Sequence, residues 1–421
     1  MGLPQNFLES AGFRKTRSCI VILLSLPLYV IGCCVPRNRN IWVFGAWFGK
    51  RYADNSRHVY EYVRENEKNI RAIWLSRSVK VVDAVRNSGG EAYLASSLPG
   101  FWFSCRAAVV ISSNGKMDVN RPAISRAVKI QLWHGIPLKK IGRGDLSVPA
   151  RAPGWRGTLS SFFYHAVISL KKTVFPFLLE NWDRITSTSS LISERMACAY
   201  GVPLSQVVIT GYPRNDIMLD ERKHRTVDFE KILGGRKFGK IILYAPTFRA
   251  EYGDNAGLFN GFSMEELEPR LKRHNALFMI KMHPVFNAEQ LTIKNVLAPY
   301  VHWVQEKDAA ELNELLPHVD LLITDYSGAY LDYLLLNRPI IFAPFDLERY
   351  LRTDRELYED YDKATPGVKC ANWSEVFENI DKILSGEDLY EAERLRALEK
   401  YHLYRDSGSS KRVCELARSL I

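Results

Sequence analysis

The sequence predicts two doubly wound α/β domains, and three observations carry that prediction. Short apolar runs of strand length recur along the chain, with stretches of helical period between them. The alternation comes in two series, from Ile41 and from Lys240, in a chain of 421 residues that is 47% hydrophobic and so can bury two cores. Polar residues beside Gly or Pro follow strand after strand, which is where open parallel sheets hold their ligands. No internal repeat of 20–50 residues and no low-complexity tract competes with this pattern.

Residues 1–40 stand apart. Arg14, Lys15 and Arg17 precede Cys19–Val35, a 17-residue run without charge, and Arg37 and Arg39 follow it. That length is at the lower limit for a membrane span, and Pro27 sits in its middle. No small-residue cleavage site follows, which argues against a removed signal peptide. The basic flanks favour a membrane-associating helix at the cytoplasmic face, held by apolar burial and by attraction to anionic lipid. A single-pass anchor and a buried core helix are the alternatives.

The first series has strand candidates at 41–44, 70–75, 107–112, 128–133, 184–187 and 207–210. Helical stretches at 56–65 and 79–87 lie among them. Residues 151–182 break the rhythm, with Arg151, Arg156, Lys171 and Lys172 among Trp155, Phe162, Phe163, Tyr164, Phe175, Phe177 and Trp182. Such a mixture suits a membrane-facing insertion or an ordinary helical pair over the sheet. The second series has strands at 241–245, 276–281, 301–304, 319–323 and 340–343, with closing amphipathic helices at 373–384 and 388–403. The expected division is therefore 1–40, 41–220 and 221–421.

Charge is unevenly placed. Residues 1–172 hold 26 Lys and Arg against 9 Asp and Glu, in a chain whose formal charge is +10. A basic half suits an anionic membrane surface or a phosphorylated substrate. Zinc spacing, RNA-binding aromatics and a long basic tract are all missing, so nucleic acid is not an expected partner. The seven cysteines are scattered, which gives neither a disulfide framework nor a metal site.

The chemistry lies where strands end. His134-Gly-Ile-Pro-Leu-Lys-Lys140 follows the strand at 128–133, and Gly211-Tyr-Pro-Arg-Asn-Asp216 follows 207–210. Pro246-Thr-Phe-Arg249, Met282-His-Pro284 and Thr324-Asp-Tyr-Ser327 follow three strands of the second series. Neither G-x-G-x-x-G nor a Walker A sequence is present, so no nicotinamide, flavin or other cofactor is expected. These groups suit transfer to or from a phosphate. Arg249 offers a two-pronged grip on phosphate oxygens, and His283 a donor to them. Ser327 opens a helix, where it either caps that helix or adds N–H donors for an anion. Thr324 suits a phosphate or ribose, and Asp332 suits ribose hydroxyls. His134, from the other domain, is placed to take a proton from an attacking hydroxyl across a cleft.

These motifs resemble those of the CDP-glycerol:poly(glycerophosphate) glycerophosphotransferase family. The likeness continues through Arg338-Pro-Ile-Ile-Phe, Asp346-Leu-Glu-Arg-Tyr, Trp42-Val-Phe-Gly-Ala-Trp-Phe-Gly-Lys and Asp54-Asn-Ser, and covers about residues 41–415. It implies a GT-B-type fold, two Rossmann-like domains facing a cleft, that works without a metal. It further implies a CDP-polyol donor, CDP-glycerol or CDP-ribitol, on the C-terminal domain. The acceptor would be a polyprenyl-diphosphate-linked saccharide or a growing polymer at the inner membrane surface, in teichoic-acid-like or capsular synthesis. His134 and His283 fall on the family's catalytic histidines. Arg249, Thr324, Asp325, Ser327 and Asp332 fall on the donor side, and Gly135, Lys139, Arg214, Asn215 and Asp216 on the acceptor side or cleft. Two positions depart: Ile136 stands where Thr is frequent, and Gly328 where Ser is frequent. The chain has no long extra domain, which leans toward a primase or short-chain enzyme. The rivals are a nucleotide-sugar glycosyltransferase of the same fold and a non-catalytic module that binds anionic polymer.

Overall fold

The structure is a computed structural model that describes residues 25–144, 173–222, 229, 232, 235–247, 255–282, 299–305, 308–309, 311–353 and 356–421. It is an α/β protein built on two parallel sheets. Among the described residues the first has seven strands in the order β3-β2-β1-β4-β5-β6-β7 and the second six in the order β10-β9-β8-β11-β12-β13. Strand bounds in the first are Asn38–Gly45, Arg71–Ser76, Ala92–Leu94, Ala107–Ser112, Val128–Gln131, Arg184–Ser187 and Val207–Ile209. In the second they are Lys240–Tyr244 (β8), Ala276–Ile280, Val301–Trp303, Leu321–Thr324, Ile340–Phe342 and Val368–Lys369 (β13). Each sheet starts in the middle and winds outward in both directions, as a doubly wound sheet does.

By contacts the described residues fall into two units. One holds 25–134, 173–185 and 411–421, the other 135–144 and 186–410. The contact division thus runs between His134 and Gly135 rather than at residue 220, and it returns the end of the chain to the first unit. Chain order misleads here because the helix Ser409–Ser419 supplies Val413, Cys414 and Ala417 to the same core as Trp42, Phe44, Trp74 and Ile130.

In the first unit β1 explains the layering. Trp42 and Phe44 enter that core, while Ile41 and Val43 enter a second one with Ile73, Leu75 and Val110. A strand buried on both faces needs no polar alternation, which is why its sequence reads as one apolar run. In the second unit the helix Trp373–Leu384 shows the same logic at helical spacing. Asn372 caps it by accepting the Glu375 N–H, and Trp373, Val376, Phe377 and Ile380 are its buried face. Trp373 packs edge-on to Tyr244 of β8 with centroids 5.0 Å apart, and its indole N–H bonds the Leu258 carbonyl at 3.0 Å.

Among the described residues no helix is long and apolar enough to cross a membrane. Residues 25–34 are helical, with Leu28, Val30 and Ile31 exposed, and residues 1–24 lie outside the described set. Of the aromatic–basic stretch, 151–172 also lies outside it. Phe177 and Trp182, read from the sequence as interface aromatics, are buried in the first unit. They are held there by buried Lys116, whose ammonium donates to the Leu179 carbonyl at 2.6 Å and to Asn181. Arg121 adds a bond to the Phe177 carbonyl at 2.6 Å.

Burial pushes the Lys116 ammonium down to about 7. Unfolded, this lysine stays protonated to near pH 10.4, so between the two values the unfolded chain binds more protons and stability rises with pH. We expect wild type to gain up to about 1.4 kcal/mol per pH unit over Lys116→Met in that window. Urea midpoints of the two proteins from pH 6.5 to 9.5 measure it, and parallel curves would refute it.

Candidate active site

Each sheet reverses its direction of growth once, between β1 and β4 in the first and between β8 and β11 in the second. Loops leaving such a pair diverge and open a crevice at the carboxyl ends of the strands. In the second unit those loops are Ala245–Thr247 and Asp325–Ser327. Asp325 ties them together. Its Oδ1 accepts the Thr247 N–H at 2.8 Å, the Thr247 hydroxyl at 2.7 Å and the Tyr326 N–H at 2.6 Å. The Thr324 hydroxyl donates to the Ala245 carbonyl at 2.7 Å, and both Thr324 and Asp325 are buried. Thr324, expected to bond a phosphate or ribose, therefore donates its hydrogen bond to the loop that follows β8 and acts as a strut. Ser327 is half-buried, and its Oγ accepts the Ala329 N–H at 3.2 Å. The helix it opens, Ala329–Tyr333, is short and tightens into a 3₁₀ turn at Leu334–Leu336. Any anion there would rest on local N–H groups more than on a long helix dipole.

Aromatic rings back this loop. Tyr326 and Tyr350 stack with centroids 3.9 Å apart, and the Tyr361 hydroxyl donates to the Asp325 carbonyl at 3.0 Å. Lys139 Nζ sits 4.6 Å from the Tyr350 centroid, a cation over an aromatic face. Lys139 thus stands beside the tyrosines that back the Asp325–Ser327 loop of its own unit.

The segment 135–141 is fixed from two sides. Leu138 and Lys140 pair with 356–358 through the bonds Tyr358 N–H to the Leu138 carbonyl at 3.0 Å and Lys140 N–H to the Glu356 carbonyl at 2.7 Å. Buried Arg195 donates to the Pro137 carbonyl at 3.1 Å. Gly135, at φ 140°, lies so close to Arg214 that a Cβ there would come within 2.6 Å of Nη2. At Gly328 a Cβ would lie 3.0 Å from the Ile136 carbonyl oxygen. That close approach gives a physical reason for glycine at this position.

Arg214, Asn215 and Asp332 form one buried network. Arg214 Nη2 lies 2.5 Å from Asp332 Oδ2, and Asn215 Nδ2 donates to Oδ1 at 3.0 Å. Asn313 Nδ2 bonds Asn215 Oδ1 at 2.9 Å and Asp332 Oδ2 at 3.3 Å. Asp332 is 1% exposed. The carboxylate assigned to ribose hydroxyls is thus engaged at both oxygens inside the protein. Asp216, expected near the acceptor, caps the C-terminal helix: its two oxygens accept the N–H groups of Ser409 and Ser410 at 2.9 and 2.8 Å.

His134 belongs to the first unit and follows a strained residue. Trp133 has φ 59°, a left-handed value that costs a bulky side chain energy and clusters at functional sites. Its N–H bonds Gln131 Oε1 at 3.1 Å, and Asn55 Nδ2 donates to its carbonyl at 2.8 Å. The Trp133 and His134 rings lie 4.1 Å apart, which orients the half-buried imidazole. Asn55 is fully buried, and its neighbour Ser56 bonds Ser113 at 2.8 Å. We expect Asn55→Ala to lower kcat by roughly 10- to 100-fold through misplacement of His134. The KM for the donor should stay unchanged, and steady-state kinetics in both substrates would show it. Asn313 and Arg195 lie outside the motifs read from the sequence, whereas the Asp54-Asn-Ser motif contains Asn55. Arg249 and His283 lie outside the described residues.

A model of the family described as CDP-Glycerol:Poly(glycerophosphate) glycerophosphotransferase matches residues 28–418. The chain is 29% identical to a teichoic acid poly(glycerol phosphate) polymerase of Bacillus spizizenii, over 97% of this chain and 99% of that one. Over 51% of its length it is 35% identical to the teichoic acid ribitol-phosphate polymerase TarK of Staphylococcus aureus, of which it spans 41%. Among solved structures, the wall teichoic acid polymerase TagF, a histidine variant soaked with CDPG, superposes with a TM-score of 0.71. It has 20% identity and shares 97% of this chain and 96% of its own.

Proposed function

Because the chain belongs to the CDP-glycerol:poly(glycerophosphate) glycerophosphotransferase family and is a transferase of that kind, we propose that it moves glycerol phosphate from CDP-glycerol to a hydroxyl of a lipid-linked or polymeric acceptor. CMP leaves, and the product extends a teichoic-acid-like envelope polymer. The family match over 28–418 carries this reading, and the polymerase similar from end to end supports it.

In the proposed mechanism the second unit holds one donor molecule. His134 takes the proton of the acceptor hydroxyl while its oxygen attacks the β-phosphorus of CDP-glycerol. The new P–O bond forms as the bond to the bridging oxygen breaks, and CMP departs with the electron pair. Arg249, His283 and the N–H groups around Ser327 hold the charge that develops on the leaving phosphate. The strutted crevice of the second unit supports this role, because donors that do not reorganise stabilise a transition state best. The enzyme works at the cytoplasmic face of a membrane, a placement favoured by the basic first 172 residues.

The test is incubation of the purified protein with CDP-glycerol, CDP-ribitol or UDP-sugars and a lipid-linked saccharide, followed by nucleotide analysis and product mass. CMP release with a glycerol phosphate added to the acceptor is the expected outcome. CMP with a ribitol phosphate added would shift the donor, as the local 35% identity to TarK allows. Release of UDP would overturn phosphotransfer.

A further inference from the structure

The first sheet has its own crevice, between β1 and β4, and the turn leaving β1 there holds a backbone conformation that ordinary side chains avoid. Trp47 and Phe48 have φ of 50° and 55°, and Gly49 follows at 75°. Each non-glycine residue in this region costs energy and persists only where its surroundings enforce it. Two side chains from the β4 loop do so. Asn114 Oδ1 accepts the Trp47 N–H at 2.7 Å, and Asp118 Oδ1 accepts the Phe48 N–H at 2.6 Å. Asp118 is fully buried, and its other oxygen takes the Ser112 hydroxyl at 2.6 Å and the Asn114 N–H at 2.8 Å. The Gly49 carbonyl closes the turn by accepting from Ser76 Oγ at 2.7 Å and from the Arg77 N–H at 2.6 Å.

What this scaffold displays is the ring of Phe48, 51% exposed. A solvent-facing phenylalanine alone means little. One held out by two strained residues and a buried carboxylate, at the crevice of a doubly wound sheet, marks a ligand platform. Cations share the turn: Lys50 is exposed, the Arg51 guanidinium lies 5.1 Å from the Trp47 centroid, and exposed Arg77 bonds the Gly49 carbonyl through its N–H. An aromatic face beside clustered positive charge matches a sugar ring joined to a diphosphate. The apolar C–H face of the sugar packs on the ring, and the guanidinium and ammonium groups neutralise the diphosphate.

We propose that the turn Ala46–Arg51 is the acceptor subsite, with Phe48 packing on the first sugar of a diphosphate-linked saccharide and Lys50, Arg51 and Arg77 facing its diphosphate. This rests on the reading that the chain transfers to such an acceptor. The test is equilibrium binding, without donor, of a farnesyl-diphosphate-linked disaccharide to the full chain. Phe48→Ala should weaken binding about tenfold and Phe48→Trp should retain it. Arg51→Ala should weaken it as well. Circular dichroism should match wild type for all three variants. An unchanged affinity in Phe48→Ala, or no binding by wild type, would overturn the subsite. An equal loss by Phe48→Ala for farnesyl diphosphate alone would overturn the sugar assignment. Binding that depends on Phe48 in a protein that releases no CMP from CDP-glycerol would keep the subsite and end the transfer reading.

Discussion

Substitution of His134 by alanine should lower glycerol phosphate transfer by about 10²–10⁴-fold, the range a positioned general base contributes. CDP-glycerol binding should stay within about twofold, because the residues proposed to hold its phosphates, Arg249, His283 and Ser327, are distant from His134 in the sequence. The expectation is physical as well as familial. His134 follows Trp133, whose left-handed φ of 59° is held by Gln131 and Asn55. A chain that keeps a tryptophan in that conformation fixes where the next side chain points. Single-turnover CMP release and donor titration by calorimetry measure the two quantities. Turnover near wild type would remove His134 from the role of base.

Asp332→Ala should destabilise the second unit by about 3–5 kcal/mol. The carboxylate is 1% exposed and pairs with Arg214 at 2.5 Å, while Asn215 and Asn313 also bond to it. Its removal takes this acceptor from the Arg214 guanidinium and the Asn215 amide, while Asn313 keeps its bond to Asn215, and that cost exceeds the worth of the pair itself. Asp332→Asn keeps the shape and part of the hydrogen bonding, so its loss should be smaller. Urea unfolding followed by circular dichroism reads both. A loss below about 1 kcal/mol for the alanine variant would show that the network is dispensable. Because Arg214 also packs on Gly135, catalytic loss in Asp332→Asn at full stability would place the network in control of the 135–141 loop.

The parallel sheets were legible in the sequence because buried strands leave unbroken apolar runs. β1, β4 and β8 read at once, whereas Ala92–Leu94 and Val368–Lys369 are too short to leave a period. Loop position was legible too, since strand ends are easy to see. The direction a side chain faces was not. Thr324, Asp216 and Asp332 stand in the loops the sequence singles out, yet each bonds inward, because the strands and helices that supply their partners are far away in sequence. The Phe48 turn was hidden for a similar reason: its anchors, Asn114 and Asp118, lie about seventy residues downstream.

The helix that carries Val413, Cys414 and Ala417 into the first core has a consequence for how the protein is made. β1 is translated about 370 residues before that helix, so the apolar groove that Trp42 and Phe44 help to line stays uncovered until residues 409–419 have been made. The nascent first unit must therefore wait, its apolar groove open, for a helix distant in sequence. Deleting residues 409–419 should harm solubility before it harms chemistry.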